Sequence, residues 1–259
     1  MTNDQMTTQQ NPATVFNPNG QSRVVLVCEH ASCFIPQAFD KLGLDDAALQ
    51  SHIAWDPGAL AVARRLAEHL DAKLVASNVS RLVYDCNRPP SAHDAMPARS
   101  EAIDVPGNAA LTQMQRQNRT AQYYDPFRTC LRDVIAATRD PVIVTIHSFT
   151  PVYLGKSRAV EIGILHDTDA RLANVMAQTA GSHTPANVAI NVPYGPQDGV
   201  THTLKEHAIP GRHLNVMLEI RNDLINGSAG QKDMADCLAN WLRDALAELN
   251  ISVGAQCSG

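Results

Sequence analysis

Arg23-Val24-Val25-Leu26-Val27-Cys28 is apolar at every position after the arginine. Without a polar residue at alternate positions, such a run describes a strand covered on both faces, as in a parallel sheet packed between helices. Similar runs recur at 73–77, 80–84, 141–146, 160–165 and 215–220. Between several of them lie stretches with apolar residues at helical spacing. These are 57–71 (Leu60, Val62, Ala63, Leu66, Leu70), 111–138 (Phe127, Leu131, Val134, Ile135), 168–181 (Leu172, Val175, Met176) and 231–249 (Met234, Leu238, Trp241, Leu242, Leu246). Strands alternating with helices predict an α/β fold in three layers, a mixed and mainly parallel sheet with helices on both faces.

Two segments break this rhythm. Residues 86–110 carry Pro89, Pro90, Pro97, Pro106 and Gly107, and residues 183–213 carry Pro185, Pro193, Gly195, Pro196, Gly199, Pro210 and Gly211. The first reads as a long loop and the second as a loop-rich excursion that would cover a site, since long loops in compact domains commonly serve function. Residues 1–22, rich in Asn, Gln and Thr, read as a flexible polar leader, and 23–259 as a single domain.

The leader has neither the basic start nor the apolar core of a secretory signal, and no apolar run approaches membrane-spanning length. The net charge of -5 is spread along the chain, so the sequence offers no basic surface for nucleic acid or anionic lipid. The expected partner is a small molecule, and the expected oligomeric state a monomer or homodimer. Six cysteines, Cys28, Cys33, Cys86, Cys130, Cys237 and Cys257, lack paired metal spacing and read as reduced thiols in the cytoplasm.

The polar residues that end the apolar runs point to chemistry. Val24–Cys28 runs into Glu29-His30, Val142–Ile146 into His147, and Val216–Leu218 into Glu219. In open α/β sheets the carboxyl ends of strands line the ligand crevice, so these residues can converge. Two histidines with a carboxylate suit a catalytic zinc, which takes three protein ligands and leaves a position for water. Each histidine alone could instead be a hydrogen-bonded core residue, and Glu219 could be paired with Arg221. Arg81 and Arg88 suit capture of a carboxylate or polarisation of a carbonyl, although Arg88 could pair with Asp85. Asp56, followed by Pro57, could cap a helix or complete the metal site.

The blocks His30-Ala-Ser-Cys-Phe-Ile-Pro36, His52-Ile-Ala-Trp-Asp56, Ser80-Arg-Leu-Val-Tyr-Asp-Cys-Asn-Arg-Pro89, His147-Ser-Phe-Thr-Pro151 and Glu219-Ile-Arg-Asn-Asp-Leu224 occur in that order. Together they resemble the N-formylglutamate amidohydrolase family over about residues 23–249. That family is distantly similar to zinc carboxypeptidases and to the aspartoacylase and succinylglutamate desuccinylase group. The resemblance implies a zinc-carboxypeptidase-like (phosphorylase/hydrolase-like) fold and one Zn2+ or other divalent metal per chain. It further implies hydrolysis of N-formyl-L-glutamate, or another N-acyl amino acid, in amino-acid metabolism such as histidine degradation.

By the same likeness, His30 and His147 are metal ligands and Glu219 is the general base. Arg81 stabilises the oxyanion, and Asn87 and Arg88 hold a substrate carboxylate; apart from the likeness, Arg221 is expected to meet a second one. His207 matches a family histidine in a loop that otherwise departs from the pattern. One departure bears on the metal: zinc carboxypeptidases carry Glu three residues after the first histidine, where this chain has Cys33. Asp56, Glu29 or Cys33 then replaces it, and Asp56 is the expected ligand.

Two other readings compete. One is a cysteine amidase built on Cys28 or Cys33 beside His30. The other is a non-catalytic binder of small acidic ligands.

Overall fold

The computed structural model describes residues 11–254. The central sheet contains seven strands: β1 Ala13–Phe16, β2 Val24–Cys28, β3 Lys73–Ser77, β4 Val142–Phe149, β5 Ile162–Leu165, β6 Val188–Ile190 and β7 Asn215–Arg221. Their spatial order is β1-β3-β2-β4-β7-β5-β6. β3, β2, β4 and β7 run parallel, β1 is antiparallel to β3, and β5, parallel to β6, is antiparallel to β7. The expected mixed, mainly parallel sheet is therefore observed.

Four longer helices cover it: α1 Ala59–Leu70, α2 Asp125–Ala136, α3 Arg171–His183 and α4 Ser228–Glu248. Alternation along each strand divides the core. Val24, Leu26 and Cys28 of β2 pack with the buried faces of α1, α3 and α4, whereas Val25 and Val27 pack with Phe127, Leu131 and Ile135 of α2. Every residue of β2 is buried, which is why its apolar run has no polar alternation. None of the helices described is long and apolar enough to cross a membrane.

The structure corrects several expectations. Ala13–Phe16, within the expected leader, is the edge strand β1, with Val15 packed on the α2 side of the core; residues 1–10 of that leader lie outside the described residues. Ser80–Tyr84 is a buried turn, not a strand. The Ser80 hydroxyl donates to the Ala54 carbonyl at 2.7 Å and accepts from the Leu82 amide at 3.1 Å, a local hydrogen bond that competes with a ladder. Leu82 and Val83 are apolar because that turn plugs a third core cluster with Leu42, Ile53 and Val105. The excursion at 183–213 contributes β6 to the sheet.

Strand order places a crevice at the middle of the sheet. β2 leads through α1 to β3 on one side, and β3 leads back across β2 to β4 on the other, so a topological switch point falls between β2 and β4. Pairing of β2 with β4 stops at Val27↔Thr145, while β4 and β7 remain paired as far as Phe149↔Arg221. The chain after Cys28 parts from β4, and the site opens in that gap.

Candidate metal centre and active site

His30 follows β2, His147 lies within β4, and the loop before α1 delivers Asp56 between them. The Asp56 amide donates to the His30 carbonyl at 2.9 Å, which fixes the loop beside the strand end. The loop then turns at Gly58, whose φ of 82° and whose approach to the Ile225 carbonyl leave no room for a β-carbon. Gly58, not Asp56, is the residue at the N-cap of α1. Asp56 is thus freed from the capping role and turns its carboxylate into the gap.

There His30 Nδ1, His147 Nδ1 and Asp56 Oδ2 form a triangle. The two nitrogens are 3.2 Å apart, and Oδ2 lies 3.3 Å from His30 and 3.0 Å from His147. A tetrahedral ion with ligands at about 2.0–2.1 Å separates its ligand atoms by about 3.3 Å. The remaining ring nitrogens are directed at other carboxylates. His30 Nε2 lies 2.7 Å from Asp85 Oδ1, and His147 Nε2 lies 3.1 Å from Glu29 Oε2. The second contact is close but poorly aligned for a hydrogen bond.

This pattern selects a tautomer. With its proton on Nε2 facing Asp85, His30 turns its Nδ1 lone pair toward Asp56 Oδ2, and His147 brings its own Nδ1 to the same point, an arrangement suited to a cation. The charge count agrees. Glu29, Asp56 and Asp85 are buried around the histidines, and Arg81, which pairs with Asp56 at 3.3 Å and Asp85 at 3.1 Å, offsets only one of them. Burial opposes a charged imidazole, yet Glu29 and Asp56 hold the His147 pKa well above its ordinary value. The residues present fit a divalent metal.

Glu219 occupies β7 in register with His147 on the adjacent parallel strand, so both side chains emerge on one face. Its carboxyl group is buried, and that desolvation, reinforced by Asp56 and opposed by His147, pushes its pKa up to about 7. Pairing with Arg221 does not explain it. Arg221 binds Glu161 at 3.1 Å and Asp223 at 2.8 Å, and it does not line the cavity.

The cavity has a volume of about 600 Å³ and is lined by His30, Asp56, Arg81, His147 and Glu219, among others. Asn87 and Arg88 form part of its wall, but most of their donors are spent on the neighbouring loop. Asn87 bonds the Val200 carbonyl and the Thr203 amide. Arg88 bonds Asp94 and the carbonyls of Asn87, Asp198 and Gly199. His207 lies outside the lining, and its burial lowers its pKa to about 4.

The structure separates the expected site residues accordingly. It brings together His30, Asp56, His147, Glu219 and Arg81, makes Asn87 and Arg88 a wall, and leaves Arg221 and His207 apart. Asp85 supports His30 instead of pairing with Arg88. Cys33 does not line the cavity, and Cys28 is core-buried with its thiol pKa raised by that burial. Neither arrangement suits a nucleophile. Cys28, Cys33, Cys86, Cys130 and Cys237 are free thiols; Cys257 lies outside the described residues.

The sequence pattern did not single out Asp85 as the partner of His30, nor Arg158 and Tyr194, which also line the cavity. Asp85 carried a usable signal, a carboxylate following Leu82-Val83-Tyr84, by the reasoning applied to Glu219. Arg158 and Tyr194 come from polar loops that carry no such mark.

Known proteins share this fold. The sequence profile of the N-formylglutamate amidohydrolase family matches residues 22–226. The chain belongs to this family. An Agrobacterium tumefaciens gene product of known crystal structure is 51% identical, with 93% of this chain and 97% of that one covered at a TM-score of 0.91. An N-formylglutamate amidohydrolase from Ralstonia eutropha is 18% identical and shares the fold at a TM-score of 0.64, covering 93% of this chain and 99% of its own. No curated protein matches the chain.

Proposed function

We propose that this family member is a zinc-dependent amidohydrolase that cleaves N-formyl-L-glutamate, or a closely related N-acylated acidic amino acid, to a carboxylic acid and the free amino acid. The observation that carries the reading is the triangle of His30 Nδ1, His147 Nδ1 and Asp56 Oδ2 beside a glutamate whose pKa lies near 7. A zinc ion held by these three residues would supply Lewis acidity, polarising the acyl carbonyl and acidifying water.

The other steps belong to the chain itself. Glu219, in register beside His147, accepts the proton of the attacking water and returns it to the leaving amine, so water and amide become acid and amine without a net change on the enzyme. Arg81 is held by Asp56 and Asp85 on one side and is partly exposed to the cavity on the other. It donates to the oxygen that gains charge as the tetrahedral centre forms, a contribution of ~2.7–4 kcal/mol for one well-placed donor.

Formate release from N-formyl-L-glutamate, followed alongside N-acetyl and N-succinyl analogues, tests the reading. Activity should disappear on chelation and return with added zinc. Full activity in protein shown to be metal-free would overturn it.

A further inference from the structure

Four guanidinium groups line the cavity: Arg81, Arg88, Arg99 and Arg158. The first three are neutralised, Arg81 by Asp56 and Asp85, Arg88 by Asp94 at 2.7 Å, and Arg99 by Asp104 at 2.7 Å. Among the described residues no carboxylate comes within ion-pairing distance of Arg158. Glu101 lines the same cavity and feels the charge of Arg158, but its oxygens are engaged by the Leu154 amide at 3.0 Å and by His52 at 2.8 Å.

Arg158 is nevertheless held firmly. One Nη2–H donates to the Tyr194 hydroxyl at 2.9 Å and Nη1 to the Thr150 carbonyl at 3.4 Å. The rings of Tyr153, Tyr194 and Phe149 lie 4.5, 4.8 and 5.5 Å from the guanidinium carbon. Aromatic contacts of this kind restrain the planar group without neutralising its charge. Of its five N–H donors, two are used, leaving an edge suited to a planar, two-oxygen acceptor.

Tyr194 also links this corner to the reaction centre, since its hydroxyl is influenced by Glu219 and Arg81 as well as by Arg158. An uncompensated, pre-oriented cation in a cavity this close to a hydrolytic centre calls for an anion on the substrate, not on the protein.

Resting on the proposed amidohydrolase function, we infer that Arg158, positioned by Tyr194, is the specificity-determining residue that binds the side-chain carboxylate of the substrate. The enzyme thereby selects N-acyl amino acids with a second negative charge. Arg221, whose donors serve Glu161 and Asp223, has no part in this recognition.

N-formyl-L-glutamate and N-formyl-L-glutamine differ at that group by charge with little change in size, and kcat/KM for both reads the assignment directly. The zinc-loaded wild type should prefer the glutamate by about 30-fold or more. Arg158→Met should lose most of that preference, with kcat/KM for the glutamate falling much further than for the glutamine, while zinc content holds. If Arg158→Met fails to fold, Arg158→Lys, which keeps the charge but not the fork, should give an intermediate preference. Equal losses on both substrates in Arg158→Met, or an unchanged preference in Arg158→Lys, would overturn the assignment. Absence of turnover of either substrate by the zinc-loaded wild type would overturn the underlying reading of function.

Discussion

His30 and His147 turn their Nδ1 atoms toward each other at 3.2 Å, while their Nε2 atoms face Asp85 and Glu29. Such a close approach of two Nδ1 atoms is favourable when a cation or a proton lies between them. If the pair holds zinc as proposed, the outer carboxylates tune how tightly it does so.

Asp85→Asn keeps the shape of the side chain but removes the charge that holds the His30 proton. Zinc affinity, measured by competition with a chromophoric chelator, is expected to fall about 10- to 100-fold. Unchanged affinity would mean that Asp85 serves only to pair Arg81.

Asp56, Glu29 and Cys33 were the alternatives for the third ligand, and Glu29 faces Nε2 of His147 and not the Nδ1 side. The Asp56 carboxylate accepts from the Ser148 amide at 3.1 Å and from Arg81, in addition to facing both histidines. Cys33 meets Gln50 at 3.8 Å. Asp56→Ala should weaken zinc binding by more than about 100-fold, and Cys33→Ala should leave both binding and turnover intact.

Glu219 makes a pH-dependent contribution in the metal-free protein. Its pKa rises from an ordinary 4.5 to about 7 on folding, so its contribution to stability is fully present below about 4.5 and is lost as the pH rises through about 7. Glu219→Gln does not titrate there. Urea unfolding of metal-free protein should show the variant gaining on the wild type between pH 5 and pH 8, by about 3 kcal/mol at most. No change in the difference would show that the carboxyl group is not desolvated as described.

Gly163 of β5 lies opposite Glu219. A β-carbon there would stand 2.3 Å from the Val192 carbonyl and 3.2 Å from the Glu219 β-carbon. Gly163→Ala must push away the segment that carries Tyr194. Turnover should fall by about 10- to 100-fold through misplacement, with zinc content unchanged.

The parts of this molecule that could be read from sequence are those where polarity conflicts with burial. His30, His147 and Glu219 stood out because charged or titratable groups end or interrupt strands buried on both faces. The same conflict marked Asp85, but the apolar run before it resembled a strand, and only the Ser80 hydroxyl bonds show it to be a turn. β1 and β6 escaped because short edge strands need no continuous apolar run; β6 is only partly buried. Arg158 and Tyr194 meet across 36 residues of chain. Their partnership depends on how two loops fold over the sheet, which no local pattern encodes.

The proposed function requires a metal site and a carboxylate base to work together, and one paired measurement addresses both: zinc content and formate release for wild-type and Glu219→Gln protein prepared together. Both should bind one zinc per chain, and only the wild type should release formate from N-formyl-L-glutamate at an appreciable rate. Zinc-loaded Glu219→Gln turning over near the wild-type rate would contradict the role assigned to Glu219 and, with it, the proposed chemistry.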